Sequence, residues 1–300
     1  MTAAFLCGTP LFLSEMNFHP DKDIDNLLDL LDDEDESIAV YAMGELLDRE
    51  DRLGGVLGML QEHPDGRLRR RVHQLEAAIT LRRRRRRFRE LLGRPDFDLK
   101  QGLVEVHLQW FDNDSRPDLE RRWAVFFDAV GGGSPVPDLT TLGARMRRYG
   151  MTAAAESVMQ PENYCIGTVL DHRQGAASLL CAAGLVLLGR PEVRAVRTLG
   201  EFAIRDGGDL LLPLHDWETV RAGSPGGEEF WDRRSLLKFT SFMLFGHAVA
   251  SDSFRYIQTI GQAISGVPDG ELPDSLPYPY CPAEDGEDGE DGGPAPGEPA

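Results

Sequence analysis

The first third of the chain is patterned for helices. In "KDIDNLLDLLDDEDESIAVYAMGELLDREDRLGGVLGMLQEHPDG" apolar positions recur at helical spacing in three short blocks: Leu27, Leu28, Leu30 and Leu31; Ile38, Ala42 and Leu46; Val56, Leu57 and Leu60. Asp-rich turns divide the blocks, and Asp35 with Ser37 is placed to cap the second helix. A longer helix follows, with Leu68, Val72, Leu75, Ile79, Phe88, Leu91 and Leu92 on its apolar face. Two more are expected over Leu99–Phe111 and Asp118–Val130, the second starting just after Pro117. Residues 20–130 therefore read as all α. The paired helices suggest a HEAT-like arrangement, but no clean period of about 40 residues repeats.

The pattern then changes. "GGGSPVPD" (131–138) is a glycine and proline break that reads as a linker, and "LTTLGARMRRYG" as a helix ending at Gly150. "SLLCAAGLVLLG" carries no charge and predicts a helix buried on most sides. "VRAVRTLGEFAIR", "DLLLPLHDW" with Pro213 inside it, and "DWETVRAG" read as strands. "RRSLLKFTSFMLFGHAVAS" and "DSFRYIQTIGQAISG" form a helix hairpin with Ser251, Asp252 and Ser253 at the corner. The last stretch, "PAEDGEDGEDGGPAPGEPA" (282–300), has no large apolar group to offset the entropy of ordering, and disorder is expected there.

Charge changes the picture in one place. Residues 21–52 hold 13 Asp/Glu and 3 Lys/Arg, whereas 67–94 hold 12 Arg and 2 Glu. The run Arg82, Arg83, Arg84, Arg85, Arg86 and Arg87 is a candidate phosphate-binding patch. The competing reading is a solvated helix face lying near the acidic helices. The run covers more than one helical turn, so some of its arginines must snorkel past the core. The net charge of −18 opposes nucleic acid and anionic membrane surfaces. No run of 18 apolar residues exists, so no membrane span is expected. The N-terminus lacks the basic region of a signal peptide. Four scattered cysteines (Cys7, Cys165, Cys181, Cys281) without a CxxC pair imply reduced thiols and a cytoplasmic protein.

Candidate chemistry centres on "HRQGAASLLCAAG" (172–184), where Gly175 precedes an apolar helix. A helix N-terminus favours a thiolate, and a thiol hydrolase needs an activating histidine beside it. Ala176, Ala177 and Ser178 occupy that start, and Cys181 lies one turn deeper, where a cysteine in an Ala/Leu run packs as a small hydrophobe. His215 and Asp216 could serve as base and orienter, but neighbours on a strand point to opposite faces; the alternative is a plain turn. His172 reads as a loop residue. No HxH, HExxH, EF-hand or Walker pattern occurs, and the "GGG" at 131 follows a helix, so no metal or nucleotide cofactor is expected.

Several stretches resemble the bacterial transglutaminase-like family with a SirB-type helical N-terminal domain. "RPDFDLKQGLVEVHLQWF" resembles its helical segment before the core, "ENYCIGTVLDHRQGAASLL" its approach to the core helix, and "TLGEFAIR" its Pro-Gly-His-Phe strand. Residues 234–265 resemble the tetratricopeptide-like hairpin that ends such proteins. The resemblance implies an α+β protein: an N-terminal segment (1–20), a helical domain (21–130), the linker (131–138), a papain/transglutaminase-like core of a helix on antiparallel strands (139–232), a helix pair (233–267) and the acidic tail. It also implies a lost triad. Ala177 stands at the thiol position, Glu201 follows Gly200 where the family strand has histidine, and Leu212 precedes Pro213 where the family has aspartate. The expected function is thus non-catalytic protein or peptide binding, possible at a vestigial cleft around Ala177, Cys181, Glu201 and His215. The alternatives are a cysteine hydrolase or acyltransferase using Cys181 and His215, and a nucleic-acid-associated protein using the arginine helix.

Overall fold

The computed structural model describes residues 22–53, 55–155, 159–222 and 227–265. Segment 1–20 and the acidic tail therefore lie outside the described residues. The protein is α+β. It divides into two compact units, Met1–Ile79 and Thr80–Ala300, so the division falls inside a helix and the break at 131–138 lies within the second unit.

In the first unit, α1 (Lys22–Leu31), α2 (Glu36–Leu47), the short α3 (Val56–Leu60) and the start of α4 (Gly66–Gly93) enclose their own core. Ile24, Leu27 and Leu31 of α1 are buried, but Leu30 points outward. Asp35 caps α2 by accepting from the Ser37 backbone N–H, as the spacing predicts. The buried faces of α2 and α4 include Ala42, Leu46, Val72 and Leu75. Arg71 lies among them, 4% exposed. Its Nη1 donates to the carbonyls of Leu31 (2.7 Å) and Asp33 (2.6 Å), and its Nη2 to Glu36 Oε2 at 2.8 Å. One guanidinium thereby satisfies the open C-terminus of α1 and holds the first residue of α2.

The second unit is built around α5 (Leu99–Trp110), whose residues Gly102 to Trp110 are all buried. Asp98 caps its start, and Ser115 caps α6 (Arg116–Phe126). A π-helical turn over Phe127–Gly131 ends at Gly132 in the left-handed conformation, φ 64°. Then come α7 (Leu139–Tyr149), closed by Gly150 at φ 84°, β1 (Thr152–Ala153), α8 (Ile166–His172), β2 (Gln174–Gly175) and α9 (Ala177–Leu188). β1 and β2 form a short parallel pair.

All residues of α9 except Val186 are buried, as its uncharged sequence predicts. It packs on a five-stranded antiparallel sheet: β3 (Arg194–Thr198), β4 (Glu201–Asp206), β5 (Asp209–Leu212), β6 (Glu218–Arg221) and β7 (Glu229–Trp231), in the order β6-β5-β4-β3-β7. Alternation divides the strands between two faces. Ala195, Phe202, Ile204 and Leu211 join the main core, while Val196, Ala203 and Leu210 form a small cluster on the opposite face. Gly184 permits the close approach: a Cβ there would stand 2.5 Å from Ile204 Cδ1. "VRAVRTLGEFAIR" is a hairpin, turning at Leu199 (φ 50°) and Gly200 (φ 89°). The strand expected through "DLLLPLHDW" stops at Leu212, because Pro213 lacks the N–H needed to continue the ladder and instead opens a 3-10 turn over Pro213–His215. The α10 (Arg233–Ala250) and α11 (Phe254–Ser265) hairpin completes the unit, with Trp110 stacked on Tyr256 at 4.4 Å. No helix among the described residues is long and apolar enough to cross a membrane.

Replacing Arg71 by Met would strand the buried Leu31 carbonyl and the half-buried Asp33 carbonyl. Urea unfolding should show the first unit weakened by about 2–4 kcal/mol. An unchanged transition would mean that the guanidinium is dispensable.

Candidate functional site

The described cavities of note flank β7, the edge strand that sequence patterning missed. β7 pairs on one side with β3, with Trp231 opposite Ala195 and Phe230 opposite Val196; the sheet order places no strand on its other side. Neighbouring residues alternate, so Trp231 turns toward α10 while Phe230 turns to the opposite face. Trp231 is held by edge-to-face contacts with Phe202 (5.1 Å) and Phe239 of α10 (5.2 Å). The Arg205 guanidinium sits 5.8 Å from the Phe230 ring.

A cavity of about 450 Å³ opens between β7 and the C-terminal helices, walled by Phe230, Trp231, Phe239, Phe242 and Ile264. A second, about 390 Å³, shares Phe230 and Trp231 and continues past Pro191 and Val193. Phe242 is 59% exposed, so the groove presents aromatic surface to solvent on the α10 side, while the Phe230 ring, 55% exposed, lies on the other face of the strand. Its charged rim is mainly basic: Arg194, Arg233 and Lys238 are exposed beside Glu229 and Asp232. The Asp232 carboxylate is already engaged, capping α10 by accepting from the Ser235 N–H at 2.6 Å. That bond holds its pKa below the ordinary aspartate value.

The positions singled out by sequence are placed differently. Ala177 is the first residue of α9 and is buried, and Cys181 is wholly enclosed by the core. Burial raises the Cys181 thiol pKa far above its ordinary value, so a thiolate is strongly disfavoured. Cys165 is buried too, and its thiol is likewise pushed well up by desolvation. Glu201 and His215 do meet, with His215 Nε2 2.8 Å from Glu201 Oε2, but at the surface. His215 thus bonds a carboxylate on β4 rather than a thiol. Asp216 and Trp217 follow with φ of 49° and 59°, both left-handed. Trp217 anchors this bend from the core, its indole N–H donating to the Met151 carbonyl at 2.7 Å. His172 ends α8 and is exposed. Neither described cavity is lined by Ala177, Cys181, Glu201 or His215.

The arginine run is partly structural. Arg84 donates to the carbonyls of Leu108 (3.1 Å), Asp112 (2.8 Å) and Asp114 (3.4 Å), serving the end of α5 and the turn after it. Arg85 is buried and Arg87 lies 4.0 Å from the buried Glu105. Arg82 and Arg86 are half-buried, leaving Arg83 and Arg87 as the exposed members of the run.

Sequence reading also passed over His107. This residue of α5 is fully buried. Its Nδ1 accepts from the Gly167 backbone N–H at 3.2 Å, so the neutral ring carries its proton on Nε2, which donates to Asp114 Oδ2 at 2.9 Å. Arg122 links Asp114 (3.8 Å) to Asp171 (2.9 Å). Burial lowers the pKa of His107 despite Asp114. This His–Asp pair joins α5 to α8 and its ring has no solvent-facing surface, so it reads as structural. Among the described residues no cluster of His, Cys, Asp or Glu could hold a metal ion.

No family model, curated protein or solved structure matches the chain.

Two outcomes follow from these burials. Iodoacetamide should leave Cys165 and Cys181 unmodified near neutral pH until denaturant is added; rapid labelling of Cys181 in the folded protein would restore the thiol-enzyme alternative. His107 should make stability pH-dependent. Its folded pKa lies below the ordinary histidine value of about 6.5, so the unfolded chain takes the proton first. The His107 contribution is therefore present above about pH 6.5 and falls as pH drops below it. Thermal unfolding between pH 7.5 and 5 should show this loss, and His107→Gln, less stable throughout, should flatten it.

Proposed function

We propose that the protein is a non-catalytic binding module, a degenerate transglutaminase-like core that receives an extended peptide along β7. The observation that carries this reading is the groove itself: an open sheet edge flanked by exposed aromatic rings. Such surfaces take extended segments, with side-chain pockets supplying most of the selectivity. β7 is only three residues long, so added strand hydrogen bonds contribute little and the aromatic walls dominate. Arg194, Arg233 and Lys238 against Glu229 and Asp232 leave the rim with one net positive charge, which favours a ligand that combines apolar or aromatic side chains with carboxylates.

The transglutaminase-like reading draws support from a buried helix packed against an antiparallel sheet. Loss of turnover draws support from the chemistry of its positions. Ala177 supplies no nucleophile, the only nearby thiol of that helix is held protonated by burial, and Glu201 is paired with a surface histidine. A nucleic-acid role gains little from the arginine run, because Arg84 and Arg85 face protein.

Selection of random displayed peptides on the full chain tests the proposal. Enriched sequences should combine aromatic and acidic residues and be recovered uncleaved. Phe242→Ser, a change at an exposed position, should weaken them about tenfold or more without altering the unfolding transition. Binders indifferent to Phe242→Ser and to Trp231→Ala, or peptides recovered hydrolysed, would overturn it.

A further inference from the structure

We infer that the groove beside β7 is occupied in the free protein by the chain's own C-terminal segment, Leu276–Tyr280, with the acidic run that follows reaching the basic rim. This rests on the reading of the groove as a peptide site and names its resident ligand.

Position makes the encounter favourable. Ile264 lines the groove and is the next-to-last residue of α11, so the chain departs from the groove's own wall. Ten residues, 266–275, separate α11 from Leu276. They can span up to about 33 Å, so reach is not limiting. A tether of this length gives an effective concentration on the order of millimolar, and even a weak intrinsic affinity then fills the site.

Chemistry matches as well. The segment "LPYPY" places Leu276, Tyr278 and Tyr280 at alternate positions, which would share one side of a chain docked in β conformation. Pro277 and Pro279 disfavour helix in it and lower the entropy lost on docking against aromatic walls. Glu284, Asp285, Glu287, Asp288, Glu290 and Asp291 come next, opposite in sign to Arg194, Arg233 and Lys238. No other stretch beyond the described residues pairs an aromatic block with an acidic one. Occupancy also accounts for Phe242, which stands more than half exposed in the groove.

The test uses full-length proteins and a fluorescent synthetic peptide of residues 271–291, with Ser at position 281. Its affinity is read by anisotropy for the wild type and for a full-length variant carrying Leu276→Ser, Tyr278→Ser and Tyr280→Ser. With the internal competitor disabled, the variant should bind the peptide at least about tenfold more tightly than the wild type. Adding Phe242→Ser to it should remove that gain. Equal affinity for both proteins would overturn self-occupancy. Failure of the variant to bind this peptide would also overturn it, while leaving the groove standing as a peptide site if displayed peptides still bind in a Phe242-dependent way. Failure of those peptides as well would overturn both.

Discussion

A helix buried on every side over its last nine residues governs the second unit. From Gly102 to Trp110 every residue of α5 is buried, yet the stretch includes Glu105 and His107. Buried polar groups demand partners, and the partners come from separate elements. Glu105 pairs with Arg116 at the start of α6, and His107 bonds Asp114 before α6 and the Gly167 N–H on α8. Arg84 brings α4 to the far end of the same helix. On its apolar side, a Cβ at Gly102 would stand within 3 Å of Leu237 Cδ1, so that glycine sets how closely α10 can pack. Each requirement of α5 thus fixes the place of another element.

The groove is a consequence of that arrangement. α10 is bound to α5 along one side, and this leaves Phe239 and Phe242 on another side facing the sheet edge. β7 is short and closes the sheet next to them, with Trp231 wedged against Phe202 and Phe239. The framework is therefore rigid where the aromatic wall is anchored and open where Phe230 and Phe242 meet solvent. A scaffold of this kind suits recognition, which needs a fixed surface more than a reactive group. The chemistry once suggested by the helix at 177–188 has no comparable opening, since its thiol lies inside the core.

Much of the secondary structure was legible in the sequence. Apolar spacing located most of the helices but not α8, Asp35 marked a cap, and the uncharged run at 177–188 announced a buried helix. The arginine run was legible as a face that must snorkel, and Arg84 and Arg85 do turn toward protein. Pro213 falls inside an apolar run that reads as a strand, although its missing N–H ends the ladder. β7 left almost no signal: "EFW" is too short for periodicity and is a strand only because β3 lies beside it.

The sequence by itself determined where most of the helices form, most of their apolar positions, and that the thiol of the central apolar helix would be packed away. These follow from local propensity and periodicity, which act over a few residues. Tertiary structure alone decided that Glu201 meets His215, that His107 bridges two helices, and that Trp231, Phe239, Phe242 and Ile264 share one wall. Those residues are separated by tens of positions along the chain, and their proximity depends on sheet order and helix packing. No local pattern encodes either, because both arise from the simultaneous need to bury apolar faces and pair enclosed charged groups across separate elements.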